Sequence, residues 1–203
     1  MFRVSGVFRL SPTTVLVALN FLVYIYTSIV GGSFLVTRTS VLLEIGQYNL
    51  SVLHGAYWQL LTAMFVHVDI THIALNMLFL IIFGLRAEDL FSTTEYFTVY
   101  MLSGLAGNIL TLFIMATNTV SAGASGAIFG MYGAAIIYMR KAFGQSIMGA
   151  LIYSFLFLML STGAGVNVFA HFGGLAVGLI IGYILAKSRH KTHDDWYQDE
   201  QYY

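Results

Sequence analysis

The chain of 203 residues is 58% hydrophobic and only 9% charged, with a mean hydropathy of +0.80 and zero formal net charge. Soluble domains carry roughly 25% charged residues, so the composition excludes an aqueous globule, and the charge balance offers nucleic acid no basic surface. Cysteine is absent, which removes disulfides and thiolate chemistry.

Between Arg9 and Arg38 lie 28 uncharged residues, with Pro12 at the entrance and Gly31-Gly32 at the exit. A spanning helix needs about 20 apolar residues, so residues 13–30 are expected to cross once, as an uncleaved anchor. Residues 31–69 carry Arg38, Glu44, His54, His67 and Asp69 between short apolar clusters. With Tyr48, Tyr57 and Trp58 as interfacial anchors, this stretch reads as a loop of pieces lying partly in the membrane.

The 16 residues from Ile70 to Leu85 give a second crossing, ended by Arg86, Glu88 and Asp89. From Tyr96 to Met139 there are 44 uncharged residues, enough for two crossings joined at Thr117-Asn118-Thr119. Ala142 to Ala186 holds two more, joined near Ser161-Thr162-Gly163-Ala164-Gly165, with His171 as the only histidine or charge. The expected fold is therefore an all-α integral membrane protein of six transmembrane helices. A cytoplasmic segment 1–12 precedes the helical domain 13–186, and a short polar tail 187–203 follows it.

Six crossings place both termini on one side, together with Arg3, Arg9, Arg86, Arg140, Lys141, Lys187, Arg189 and Lys191, and leave only Arg38 on the other. The positive-inside rule then puts both termini in the cytoplasm. The protein is expected in the cell (plasma) membrane as a multi-pass chain.

With this topology the even-numbered helices enter from the outer face. His72 and Asn76 open the second, Ser125 the fourth and His171 the sixth. The fourth helix descends about 15 residues, roughly 23 Å, and the fifth climbs back a similar distance, which returns His171 to the depth of Ser125. Each residue alone has a plainer reading. A serine in a membrane helix usually packs or bonds to its own backbone, an asparagine usually bonds to a neighbouring helix, and a histidine serves proton paths and metal sites as well. Together, a serine, a base and two hydrogen-bond donors at one depth match the needs of acyl transfer. Gly174 and Gly178 on the sixth helix, with Gly126, Gly130 and Gly133 on the fourth, let two backbones approach and bring the imidazole toward the hydroxyl.

Gly123-Ala-Ser125-Gly126, His72-Ile-Ala-Leu-Asn76 and Ala170-His171-Phe-Gly-Gly174 with Gly178 resemble the signature of the rhomboid family of intramembrane serine proteases, over residues 13–186. The resemblance implies a Ser–His dyad without a catalytic aspartate, using no metal and no cofactor. Ser125 would be the nucleophile and His171 the general base, with His72, Asn76 and the Ser125 backbone N–H as the oxyanion hole. Substrates would be transmembrane segments of single-pass proteins in the lipid bilayer, cut near their outer ends at a site opening outward. Gly, Pro or polar residues should ease unwinding, and a small residue should precede the scissile bond.

Three positions depart from the family pattern. Gln59 follows Trp58 where arginine is frequent, so an ion pair bracing the loop is lost or replaced. Ser92 stands where glycine is usual. Phe129 stands where many relatives stack a tyrosine on the catalytic histidine, a place a phenyl ring can also fill. The connection 161–166 reads as a cap over a polar cavity.

Other readings meet specific obstacles. A small transporter would show matched halves with broken helices, and no internal repeat is seen. A metalloprotease using His67, Asp69, His72 and His171 lacks H-E-x-x-H. A non-catalytic rhomboid-like binder predicts gaps in the dyad, and none occurs. Oligomeric state is not encoded legibly.

Overall fold

The computed structural model describes residues 10–163 and 165–199, the last ten of them as backbone only. Helix α1 (Pro12–Gly31) begins with the Ser11 side chain accepting from the Thr14 N–H, has Pro12 in its first turn, and stops at Gly32 with φ +71. A proline there gives up only an N–H that the helix would leave unpaired, so both ends are written locally. The Thr13 N–H donates to Glu88 Oε1 (2.6 Å), which ties the start of α1 to the end of α5 (Ile70–Leu90).

Between these helices the chain forms α2 (Thr39–Ile45), β1 (Gln47–Tyr48), α3 (Asn49–Leu53) and α4 (Gln59–Thr62). This loop is more ordered than the expected set of interfacial pieces. Its buried polar side chains satisfy its own irregular backbone: Gln59 Nε2 donates to the carbonyls of Leu43 and Glu44, and Gln59 Oε1 accepts from the Tyr48 N–H. A buried loop needs such partners, because each unpaired amide away from water is costly.

Helix α6 (Thr93–Ile114) follows, then β2 (Val120–Ser121), α7 (Ser125–Ala142), α8 (Ile147–Leu160) and α9 (Val168–Asp199). Strands β1 and β2 pair antiparallel, Gln47 opposite Ser121. Helix α9 runs past Ala186 into the polar tail. Residues 1–9, most of the expected N-terminal segment, lie outside the described residues, as do Ala164 and the tail's residues 200–203.

Among the described residues four helices are long and apolar enough to cross a membrane: Pro12–Gly31, Ile70–Leu90, Thr93–Ile114 and the Val168–Arg189 part of α9. The 18-residue α7 and the 14-residue α8, where the sequence reading places its fourth and fifth crossings, are not among them. Helix α7 is wrapped by other helices rather than lipid, with Gly126 to Met131 and Gly133 to Ala135 buried, so small residues replace bulk apolar ones. The outer surface is apolar instead, with Phe113 80% and Leu160 85% exposed, which water would not tolerate over so wide a belt.

The core joins Leu16 of α1, Met77 and Leu80 of α5, Tyr96 and Tyr100 of α6, and Ala127 and Met131 of α7. Helix α9 closes on α7 through glycine. A Cβ at Gly174 would fall on the Gly126 carbonyl oxygen, one at Gly178 on that of Gly130, and one at Gly182 on that of Ala134. Basic side chains gather at the far end of the bundle: Arg86 reaches Met139 Sδ, while Arg189 reaches the Leu90 carbonyl, Tyr138 and Glu95.

Candidate active site

Ser125 is the first residue of α7, so the N–H groups of its turn have no helix carbonyl before them. The segment leading into it is held by the α1–α5 loop. The Gly123 N–H donates to the Ala63 carbonyl (2.8 Å), and β2 is pinned on β1. Gly123 has φ +130, a conformation that side chains rarely adopt, and a Cβ there would lie 2.8 Å from His72 Cε1 and 3.0 Å from Nε2. Glycine is required at this position twice over.

His171 sits in the first turn of α9, buried, with Nε2 2.9 Å from Ser125 Oγ. The glycine contacts between α7 and α9 make this approach possible. Phe129, one turn after Ser125, stacks on the imidazole at 4.4 Å and 17°, and Phe157 of α8 stacks on Phe129 at 4.6 Å. The other ring nitrogen, Nδ1, lies 3.1 Å from Ser161 Oγ. Ser161 is the C-cap residue of α8.

His72 and Asn76 occupy one face of α5, whose start is capped by Asp69 Oδ1 accepting from the His72 N–H (2.7 Å). Asn76 Nδ2 donates to the His72 carbonyl (2.9 Å), which engages one N–H of its amide and leaves the second available. Among the described residues no hydrogen bond joins either side chain to Ser125. Both line the same cavity as Ser125, Phe129 and His171, a space of about 560 Å³. Ser161, Gly165 and Val166, from the connection expected to cap the site, line it too.

Two contributors, Ser161 and Asn167, are not singled out by the sequence, and His67 is named there only as a rival metal ligand. Ser161 lies ten residues before His171 in the chain with nothing to distinguish it from other serines. Asn167 precedes α9, where its Oδ1 accepts from the Ala170 N–H and its Nδ2 donates to Ser121 Oγ and Thr111 Oγ1, pinning the turn that carries His171. An asparagine immediately before an apolar helix was a legible cap signal. His67 is fully buried with its ring edge-on to His72, centroids 5.2 Å apart. Burial first, and then neighbouring His72, push its pKa down to about 3, offset in part by the Phe65 carbonyl.

The family model for the rhomboid domain matches residues 54–188, which include all of these residues. The chain belongs to the rhomboid family. This rhomboid is 29% identical to YdcA of Bacillus subtilis (strain 168) over 191 residues, 91% of the chain and 94% of YdcA. It is 34% identical to the rhomboid protease GluP of the same organism over 82% of the chain and 33% of GluP. It is also 35% identical to the mitochondrial RHOMBOID-like protein 6 of Arabidopsis thaliana, over 71% of the chain and 49% of that relative. With its long apolar helices, it is a multi-pass membrane protein.

The departures of this rhomboid have local physical counterparts. Gln59 braces the loop with three neutral hydrogen bonds. Ser92 forms a capping box with Glu95 at the start of α6, the Ser92 N–H donating to Glu95 Oε2 and the Glu95 N–H to Ser92 Oγ. Phe129 occupies the stacking position against His171.

Proposed function

We propose that this rhomboid is an intramembrane serine endopeptidase in which Ser125 is the nucleophile and His171 the general base. The observation that carries the reading is the 2.9 Å separation of Ser125 Oγ and His171 Nε2 beneath a stacked aromatic ring. His171 Nε2 takes the Ser125 hydroxyl proton as Oγ attacks the scissile carbonyl carbon. The resulting oxyanion lies toward the Ser125 N–H, the His72 imidazole and the free N–H of Asn76. The imidazolium then protonates the leaving amine, and water repeats the sequence on the acyl-enzyme through the same base. The chemistry requires neither metal nor cofactor.

The substrates are transmembrane segments of single-pass proteins. A membrane helix has its amides satisfied internally, so it must unwind before a carbonyl can meet Ser125, and Gly, Pro or polar residues near the outer end favour this. A small residue is expected before the scissile bond. Helices α1 and α5 to α9 make six crossings, with the domain spanning residues 13–186. The basic end is cytoplasmic, and the cavity opens outward at the plasma membrane. Incubation with single-pass substrates in lipid tests the assignment: cleavage by the intact enzyme should vanish in Ser125→Ala. Cleavage that persists in that variant refutes it.

A further inference from the structure

A neutral imidazole has one ring proton, and a base facing Ser125 through Nε2 must carry that proton on Nδ1. In a Ser-His-Asp triad a buried carboxylate enforces this choice. Here Nδ1 faces the hydroxyl of Ser161 at 3.1 Å. A hydroxyl could either give or receive the shared proton, so its other contacts decide.

Ser161 Oγ also lies 2.7 Å from the carbonyl oxygen of Leu158. A carbonyl cannot donate, so the one hydroxyl proton goes to Leu158. The proton between Ser161 and His171 is then that of His171, with Nδ1–H donating to Ser161 Oγ. This leaves Nε2 bare, accepting from the Ser125 O–H at 2.9 Å. The reverse arrangement would give up the 2.7 Å bond to the Leu158 carbonyl, leaving that oxygen only the longer contact from the Ser161 N–H at 3.2 Å, and would aim an Nε2–H at Ser125, where it could take no proton. Helix geometry holds Ser161 in place, because its own N–H donates to the carbonyls of Phe157 and Leu158, both at 3.2 Å. One turn earlier, Phe157 backs the ring of Phe129 that lies on the imidazole.

We propose that Ser161 is a positioning residue that fixes the tautomer and orientation of His171 from the end of α8, a task that a carboxylate performs in the triad. A hydroxyl suits a site inside the membrane, where a buried charge is expensive. It also accepts from Nδ1–H whether the ring is neutral or has taken the Ser125 proton, so the contact persists through the reaction.

The inference rests on the reading of Ser125 and His171 as a dyad. Its test pairs NMR of the ring nitrogens in histidine-labelled full-length protein with kinetics of wild type, Ser161→Ala and Ser161→Thr. The His171 signal is assigned by its loss in His171→Ala. In wild type Nδ1 should be protonated and Nε2 bare. Ser161→Ala should yield a mixture of tautomers and lower kcat roughly three- to tenfold at constant KM, the effect of losing one neutral hydrogen bond. Ser161→Thr, which keeps the hydroxyl, should restore both. An Nε2-protonated ring in wild type, or an unchanged tautomer in Ser161→Ala, overturns the inference even where activity falls. Cleavage that survives Ser125→Ala would sink the dyad reading instead, and the tautomer measurement would remain valid.

Discussion

Gly174 of α9 rests directly on the carbonyl oxygen of Gly126 in α7, with no room between the two backbones for a methyl group. This contact lies next to Ser125 and one turn from His171, so the spacing of the helices and that of these two side chains are set together. Gly174→Ala should force the helices apart, destabilise the fold by about 1–3 kcal/mol and sharply reduce turnover. Gly163→Ala serves as the control, since among the described residues a Cβ there meets only Val166 Cγ2 at 3.8 Å. Thermal unfolding in detergent and substrate cleavage, measured on both, check the expectation. Equal behaviour of the two variants would mean that α7 and α9 have slack.

That small-residue face was legible because helical periodicity writes it into the sequence: glycines four apart share a stripe. Gly182 continues the same stripe, packed on the Ala134 backbone. The meeting of His72, Asn76, Ser125 and His171 at one cavity agrees with their places near the starts of α5, α7 and α9, which polar residues at the edges of apolar tracts mark in the sequence. The α1–α5 loop was not. Its pairing of Gln47 with Ser121 and the bond from Gly123 N–H to the Ala63 carbonyl depend on contacts between distant segments, which no local periodicity records. Ser161 was hidden for the same reason, since a hydroxyl carries no sign of the ring it faces until the helices are assembled.

Asn76 spends one N–H on the His72 carbonyl and keeps another for the cavity. If that second N–H meets the oxyanion, Asn76→Ala should reduce kcat by about 10- to 10³-fold with little change in the melting temperature. Asn76→Asp keeps the shape and removes the donors, so it should be no better than alanine. Normal turnover in either folded variant would reduce Asn76 to a helix-bracing residue.

Phe129 holds the face of His171, and its ring is backed in turn by Phe157. The stacking needs an aromatic face and no hydroxyl. Phe129→Tyr should therefore be nearly neutral, while Phe129→Ala should release the imidazole and lower kcat. Labelling of Ser125 by a serine-directed phosphonate should follow the same order. Identical labelling in all three proteins would show that the ring does not hold the base.

His67 gives the fold a sensitivity to acid that is separate from catalysis. Its pKa lies near 3 in the folded protein, lowered chiefly by burial, against about 6.5 in an unfolded chain. Between those values the unfolded chain binds a proton that the folded one refuses. Stability is then full above about pH 6.5 and falls as the pH drops toward 3, with a limiting slope of about 1.4 kcal/mol per pH unit. The window from pH 6.5 to 5 lies above the range where carboxylates titrate, so histidines dominate there. His67→Phe removes this proton site while filling the space, and should lose part of the acid-induced drop in melting temperature. The other histidines remain in both proteins, so the difference between the two curves reports His67 together with its coupling to His72. Parallel curves across that window would show that His67 takes up its proton without unfolding.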